Sequence, residues 1–294
     1  MHRSPTARTR TRTPSTCTRP QATARAASLA AALLLSFVAP PGRAADPFDA
    51  PPVPAVPVSD PAAPAADPAS PRFSATFYLW ASGLRGKTST LPPLPAANVD
   101  LSFGDILENF DGGIMGKAEM RLGRWSLIGD AMFTQVSPSG TLPAPFSSGV
   151  EVRSRSLTLQ GNALYRLYES DAVSVDAGAG ARFWYLDNRL DLAPGARPTR
   201  TIVTEDESWV DPVVAGRVIA GLGGPWGMTV AGDIGGFSVG SDLTWQAIGT
   251  IDYEWSDKLQ LRAGYRALSV DYQDGKFLYD VLMQGPVVGL TYRF

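Results

Sequence analysis

Cysteine and histidine are almost absent from this chain of 294 residues, because Cys17 and His2 are its only examples and both lie in the first twenty residues. If that segment is removed during maturation, neither a thiol nor an imidazole remains. Disulfides, cysteine or histidine metal sites, cysteine nucleophiles and Ser-His-Asp triads are then excluded. The sequence therefore predicts no cofactor, no metal site and no catalytic residue.

Long apolar runs are also lacking. The longest, Ala26–Ala39, has fourteen residues, whereas a membrane-spanning helix needs about 20. Six arginines and no acid lie in residues 1–25, and small residues follow the run as far as Ala44. This order is typical of a secretory signal peptide, which we place at residues 1–44; a buried helix or an uncleaved anchor is the alternative.

Proline and glycine divide the rest of the chain. Fourteen of the 25 prolines precede Phe73, whereas 28 of the 29 glycines follow it. Residues 45–72 are nearly all Pro, Ala, Val and Asp, a composition that cannot form a core and favours extended polyproline-like chain. We expect a disordered periplasmic linker here, acting as a tether or as a docking arm for an envelope partner.

The predicted mature chain is acidic. Removal of residues 1–44 removes seven arginines and no acid, which leaves 19 basic against 28 acidic residues and a net charge of −9. This balance argues against a nucleic-acid partner.

From Phe73 to Phe294 the dominant pattern is alternation of apolar and polar residues over runs of ten to sixteen residues, which predicts β-strands. In one run Ile114, Ala118 and Met120 share a face while Lys117 and Glu119 share the other. Ten such runs start near Phe73, Gly113, Trp125, Val152, Ala172, Ser208, Trp226, Leu243, Lys258 and Tyr279.

A soluble β-sandwich also alternates, but three features favour a membrane barrel. The runs exceed the usual five or six residues and match the ~9–11 residues of a tilted spanning strand. Tight turns alternate with longer connections, Gly86–Gly112, Ser137–Val150 and Arg189–Glu207, and shorter ones near Gly240 and Gln273. Aromatic residues gather at the run ends, as in the two girdles of such barrels: Trp125, Tyr165, Trp226, Tyr253, Trp255, Tyr292 and Phe294 at one rim, and Phe133, Tyr185, Trp209, Trp245 and Tyr265 towards the other.

These features predict an all-β protein, with a ten-stranded antiparallel transmembrane β-barrel over residues 73–294. An even strand number with all tight turns on one side places both termini on that side, which we expect to be the periplasm. Outer-membrane lipid is then the expected partner of the outer face.

The last ten residues resemble the C-terminal signal of bacterial outer-membrane β-barrels, in which Gly289, Tyr292 and Phe294 match and Val287 occupies a position that is usually polar. The segments Asp233–Phe237, Gly240–Gln246 and Gly264–Leu268 resemble a group of uncharacterised proteobacterial outer-membrane barrels. The resemblance implies the fold, an outer-membrane location in a Gram-negative bacterium, and recognition by the barrel-assembly machinery. It implies no catalytic residue.

The predicted lumen carries charges of both signs in near balance, and small barrels are usually filled by side chains. We therefore expect a plugged lumen with a structural or surface-interaction role; a narrow low-conductance channel for ions or small solutes is the alternative. The predicted lumen charge network contains Lys117, Glu119, Arg121, Asp130, Arg166, Asp176, Arg182, Arg217, Asp233, Asp252, Glu254, Arg262, Arg266 and Arg293, with Asp211 also directed inward.

Two further hypotheses stay open. Carboxylate pairs suffice for glycosidic chemistry, so Asp206 with Glu207, or Asp271 with Asp274, are the candidates for an outer-membrane hydrolase. The patch Phe103–Phe110 alone shows a helical period, and it predicts a helix on the barrel rim, a plug in its mouth, or plain loop decoration.

Overall fold

The computed structural model describes residues 70–91, 96–137, 139–140, 150–192 and 201–294. The predicted signal peptide and residues 45–69 of the predicted linker lie outside them. No helix in the described part of the chain is long and apolar enough to cross a membrane.

In chain order the elements are β1 (Arg72–Trp80), β2 (Gly83–Ser89), β3 (Ala97–Leu101), α1 (Phe103–Glu108), β4 (Phe110–Leu122), β5 (Trp125–Val136), β6 (Ser139–Gly140), β7 (Val150–Glu169), β8 (Val173–Leu192), β9 (Thr201–Gly223), β10 (Trp226–Gly236), β11 (Leu243–Ser256), β12 (Leu259–Asp274) and β13 (Phe277–Arg293).

The long strands form one antiparallel sheet that closes on itself. Its order is β1-β4-β5-β7-β8-β9-β10-β11-β12-β13, and β1 pairs with β13 to complete the cylinder. Because β2 continues along the same edge of β13, β1 and β2 together make one barrel strand. β3 pairs with the free side of β2, and β6 with β7. The predicted ten-stranded antiparallel β-barrel is confirmed.

Alternation along each strand gives the barrel an apolar outside. Phe77, Leu79 and Ile114 are 67%, 72% and 65% exposed, as expected for side chains that face lipid. Near the tight turns, Trp125 contacts Tyr165 edge to face. Other apolar side chains exposed on this outer face are Leu127, Leu159, Val210, Val214, Val230, Ile234, Ile251, Leu261, Val288 and Leu290.

One residue assigned to the outer girdle lies inside. Trp209 is 6% exposed, and its indole N–H donates to Asp211 and Ser241 in the interior. The prediction was wrong because residues two apart in a strand share a face, so Trp209 must point the same way as Asp211.

Tight turns at residues 123–124, 170–172, 224–225 and 257–258 all lie at one end, which we call the turn end. The chain also enters and finishes there, since the backbone N–H of Phe294 donates to the carbonyl of Phe73 at 3.0 Å. We call the opposite end the loop end.

Three predicted loops are shorter than expected. Residues 86–112 contain the end of β2, all of β3 and α1, and residues 189–207 are mostly strand, because β8 and β9 remain paired as far as Leu192 opposite Thr201. The connection near Gln273 is a two-residue turn at Gly275–Lys276. At β8–β9 and at β12–β13 the alternation is reversed, because apolar side chains such as Leu190 and Phe277 face inward and polar ones such as Arg189 and Gln273 face outward. Backbone pairing continues through both segments.

The strands β7, β8 and β9 have 20, 20 and 23 residues, about twice the number that crosses a bilayer. Their loop-end parts therefore extend beyond the apolar belt. Outward charges pair there, with Arg155 lying 3.5 Å from Asp187 and Arg153 3.5 Å from Glu151. This extension is a polar surface.

The patch Phe103–Phe110 contains the helix α1, which lies beside β2 and β3 on the outside of the wall. It has no buried residue, and Phe103 borders an external groove together with Tyr265 and Pro286. A capping box of Ser102 and Asp105 starts the helix. It decorates the outer rim and does not enter the mouth of the barrel.

Candidate functional site

The lumen holds the predicted charge network, and at the turn end its members are linked by ion pairs. Arg217 donates to Glu119 at 2.7 and 2.9 Å and to Asp176 at 2.7 and 3.0 Å. Arg166 donates to Asp176 at 2.6 Å, and Arg121 to Glu119 at 3.2 Å. Two carboxylates are thus shared among three guanidinium groups, the fork geometry that suits arginine.

A second group lies on β10, β11, β12 and β13. Arg262 donates to both oxygens of Asp252 at 2.8 and 2.9 Å, and Thr229 donates to the same carboxylate at 2.6 Å. Closer to the turn end, Arg293 makes a two-pronged contact with Glu254. This last pair is 40% and 37% exposed, so water reaches the turn end of the lumen.

Halfway along the axis the network is dry. Arg182, which is 0% exposed, donates to Asp233 at 2.6 Å and to Gln160 and Thr244. Beside it, Arg266 donates to Gln246 and to the hydroxyl of Tyr78.

Tyr78 in turn donates to Asp130 at 2.6 Å. The guanidinium group of Arg266 also lies over the rings of Tyr78 and Trp80. At this level of the lumen the neighbours of an arginine are therefore largely aromatic.

The loop half of the lumen is filled by an apolar and aromatic layer, which we call the aromatic layer. The ring of Trp209 stacks on Tyr272 at 3.9 Å and on Trp184 at 5.7 Å. Asp211 is the one predicted inward acid here, and it accepts from both indoles and from Ser241. The layer consists of Tyr78, Trp80, Met132, Trp184, Leu186, Trp209, Leu268, Val270, Tyr272, Phe277, Tyr279, Val281 and Val287.

Sequence reasoning placed Tyr78, Trp80 and Trp184 inside but missed the rest of the aromatic layer. A signal was present, because Leu268, Val270 and Tyr272 share the parity of the inward residue Arg266 in β12. In β13, Tyr279 and Val281 likewise share the parity of the inward residue Arg293.

Between the charged end and the aromatic layer lies a small cavity of about 110 Å³. Lys117, Arg262 and Asn162 line it, together with apolar side chains that include Ile128 and Ile248. A wider vestibule of about 620 Å³ follows towards the turn end, and Lys117 and Arg262 border both spaces. The lumen is therefore open from the turn end as far as this cavity.

The candidate hydrolase pairs do not converge. Asp206 and Glu207 are adjacent in β9 and point to opposite faces, and Glu207 accepts from the buried Tyr272 hydroxyl at 3.1 Å. Asp271 and Asp274 are three apart in β12 and also diverge. Within the described ranges no group of three or more His, Cys, Asp or Glu side chains is arranged to hold a metal ion.

The residues of the C-terminal signal lie in and just beyond β13. Gly289 faces inward, where a Cβ would come within 3.2 Å of the Tyr78 side chain. Tyr292 and Phe294 are exposed on the outside at the turn end and contact each other edge to face. Two residues of the signal therefore present aromatic rings on the outer surface at the turn end.

No family model and no curated protein matches the chain. Among solved structures it is similar to Neisserial surface protein A, at 13% identity over 76% of this chain and 97% of that one, with a TM-score of 0.28. It is similar to Ail of Yersinia pestis at 10% identity over 76% and 98%, with a TM-score of 0.31. The toluene transporter TodX of Pseudomonas putida gives 8% identity over 78% and 92%, with a TM-score of 0.33. At these identities and TM-scores the similarity carries no statement about role.

The fold is that of the bacterial outer-membrane β-barrels. An even number of antiparallel strands, an apolar exterior with aromatic rims, and a polar interior are the features that define the class. All three are present in the described part of this chain.

Proposed function

We propose that the chain is a Gram-negative outer-membrane protein whose lumen is plugged, and that it serves a structural or surface-interaction role without conducting solutes or catalysing a reaction. Both ends of the barrel chain face the periplasm in this proposal. The loop ends of β7, β8 and β9 then form its outward surface.

The location is supported by the outer face. Apolar side chains cover the barrel between its two rims, and a soluble monomer rarely exposes an apolar area of that extent. Lipid contact removes the cost of exposing it. Outside this belt, Arg155, Asp187 and Glu151 return the surface to polar character.

The observation that carries the plugged state is a ring of inward side chains at one level of the axis. Nine barrel strands each contribute a side chain that is 9% exposed or less, and β4 adds the partly buried Met115. A water-filled pore would expose its wall on every strand, so a ring that is buried on nine strands and partly buried on the tenth supports a closed lumen. Its buried members are Trp80, Met132, Thr158, Arg182, Asp211, Asp233, Thr244, Leu268 and Val287.

A narrow channel is the second candidate, and the wet vestibule beside Arg262 and Asp252 favours it. Such a channel would need the aromatic layer to move aside. The vestibule alone fits equally well with a closed barrel that is hydrated from one end.

Recordings across a planar bilayer separate the two. The refolded wild-type barrel, checked by a heat-dependent shift on a gel, should show no unit conductance steps. Reproducible steps whose size changes in Arg262→Ala or Asp252→Ala would establish the channel instead.

Orientation is tested by labelling, because the predicted mature chain contains no cysteine. A membrane-impermeant maleimide should label Thr204→Cys on intact cells, since Thr204 is exposed on the extended part of β9. Asp257→Cys, in a tight turn at the turn end, should react only after the outer membrane is permeabilised. The reverse pattern would invert the proposed orientation.

The partners proposed for this barrel are outer-membrane lipid and the barrel-assembly machinery, which would read Gly289, Tyr292 and Phe294. An envelope partner for the Pro-rich arm stays a prediction, because residues 45–69 lie outside the described ranges.

A further inference from the structure

We propose that the cavity beside Lys117 is a blind binding pocket for a small organic carboxylate, which enters from the turn end. This inference goes beyond the proposed function, because a plugged structural barrel needs no ligand. It depends on the geometry around Lys117 and not on the role of the outward surface.

Lys117 differs from the other inward cations of the described ranges in making neither a hydrogen bond nor an ion pair. The inward arginines 121, 166, 182, 217, 262, 266 and 293 each donate to a carboxylate, amide or hydroxyl oxygen. Lys117 makes no hydrogen bond and no ion pair with any described residue. Asp130, directly opposite it on β5, receives its hydrogen bond from Tyr78 instead.

A second polar group in the same cavity also lacks a partner. The Oδ1 atom of Asn162 is buried without a hydrogen bond to any described residue. The same amide lines the cavity, and its Nδ2 group is a hydrogen-bond donor that can donate to an anion there. Lys117 and Asn162 together offer a cation and an amide to one ligand.

The charge of the lining favours an anion. Lys117, Arg217, Arg262 and Arg266 border the cavity together with Asp130 and Asp233. The three arginines have carboxylate partners, Glu119 and Asp176 for Arg217, Asp252 for Arg262 and Asp130 for Arg266, and Asp233 accepts from Arg182 and Gln160. Lys117 is therefore the cation of this lining that forms no ion pair with a described residue, and the low-dielectric wall around it strengthens its attraction for an anion.

The remaining wall is apolar, and this selects an organic anion. Ile128, Leu164, Ile248 and Val287 face the same cavity. A cavity of about 150 Å³ holds benzene, so by proportion one of about 110 Å³ holds some four or five non-hydrogen atoms. Acetate and propionate have that size, a carboxylate for Lys117 and a methyl or ethyl group for the apolar wall.

Access is possible from one end only. Thr76, Lys117, Arg217 and Arg262 border both the cavity and the vestibule, so the two spaces meet beside Lys117. On the other side Arg182 and the aromatic layer close the lumen. A ligand would enter from the turn end and leave by the same way.

Methyl NMR of the full barrel in detergent tests the pocket without a mutation. With the isoleucine δ1 methyls labelled, sodium acetate should shift the signals of Ile128 and Ile248, which border the cavity. Ile234, exposed on the outer face, is the internal control, and sodium chloride at equal ionic strength is the reference. If neither cavity methyl moves at saturating acetate, the pocket does not exist.

Two comparisons test the assignment of Lys117. Lys117→Met should weaken acetate binding about tenfold or more, the loss expected for one charge-assisted hydrogen bond, whereas Lys87→Met on the outer face of β2 should leave it unchanged. Acetamide, which has the same shape without the charge, should bind no better to the wild type than to Lys117→Met.

Equal binding of acetate to the wild type and Lys117→Met, or tighter binding of acetamide than of acetate, would overturn the proposal. If Lys117→Met does not fold, the wild-type comparison of acetate with acetamide still decides. Conductance steps in the wild-type barrel would refute the plugged state and the closed end of the pocket, whereas binding of acetate beside Lys117 is decided by the NMR titration alone.

Discussion

The two halves of the lumen are built on the same strands, yet only the turn half contains an inward ion pair that water reaches. At the turn end Arg293 and Glu254 pair while 40% and 37% exposed; halfway up, Arg182 and Asp233 pair at 0% and 3%. Level along the axis does not settle this alone, because Arg217 and Asp176, also towards the turn end, pair at 4% and 2%. The exposure of each pair therefore sets what it contributes to stability.

The largest expected effect comes from breaking the dry pair. Arg182→Met leaves Asp233 buried without its cation, so the free energy of unfolding should fall by about 3–5 kcal/mol. Arg293→Met, the same change at the wet end, should cost only about 0–1 kcal/mol because solvent screens that pair. Urea unfolding of the barrel in lipid vesicles measures both. Equal losses would show that the two halves are equally hydrated.

The aromatic layer offers the second test. Trp209→Ala removes the ring that stacks on Tyr272, and loss of a buried tryptophan costs about 3–5 kcal/mol. The same variant should admit water to the loop half but show no conductance steps, because the buried ring that contains Trp80, Met132 and Arg182 still closes the lumen. Trp226→Ala, at a position that is 50% exposed on the outside, is the matched control and should cost much less stability. Conductance steps in Trp209→Ala would show that the seal lies at the level of Trp209 in the aromatic layer and not in that ring.

Much of this architecture follows from the sequence because a period of two is a strong signal in long strands. The ten strands were predicted with starts within a few residues of those observed, apart from β9, which begins seven residues earlier. β2 and β3 were missed for two reasons. They are short, and they carry the charged residues Arg85, Lys87 and Asp100 on the outer face, which is apolar in β1. Trp209 was assigned to the wrong face of β9. It is two residues from the inward residue Asp211, and this spacing alone places it on the inner face.

Pairing within the lumen was predictable only between neighbouring strands. Arg262 lies directly opposite Asp252, and Asp176 opposite both Arg166 and Arg217, so register alone brings them together. Contacts across the lumen differ, as with Arg217 and Glu119, which are 98 residues apart. They depend on strand tilt and stagger when the barrel closes, which the sequence does not encode locally. For the same reason the isolation of Lys117 could not be foreseen.

A third prediction tests which part of the outer face lies in the bilayer. Val230 is exposed on the outer face of β10, four residues from the girdle residue Trp226. Val230→Arg should destabilise the inserted barrel by about 2–4 kcal/mol if it lies near the bilayer midplane. Thr204→Arg, exposed on the extended part of β9, should cost almost nothing. Similar costs at both positions would mean that the belt reaches much further towards the loop end.

The smallest effect concerns α1, which lies outside the dry half of the barrel without contributing to its seal. The Ser102 hydroxyl oxygen accepts a hydrogen bond from the Asp105 backbone N–H at 3.2 Å. In return, the hydroxyl and the backbone N–H of Ser102 both donate to the Asp105 carboxylate. Ser102→Ala should therefore destabilise the helix by about 0.5–2 kcal/mol. Faster hydrogen exchange at the Ile106 and Asn109 amides measures this loss, while unfolding of the barrel in urea should not change.

Lowering the pH should destabilise α1, as Ser102→Ala does. The hydrogen bonds from the Ser102 side chain and backbone hold the pKa of Asp105 below its ordinary value. A carboxyl group whose pKa is lowered by folding stabilises the folded form above its unfolded-state pKa and loses that contribution as the pH falls through the lowered value. Exchange at Ile106 and Asn109, corrected for the intrinsic rate, should accelerate over that range in the wild type and much less in Asp105→Asn. A parallel change at amides of the aromatic layer would show that the helix and the seal unfold together, and that the outer rim is part of what keeps the loop half dry.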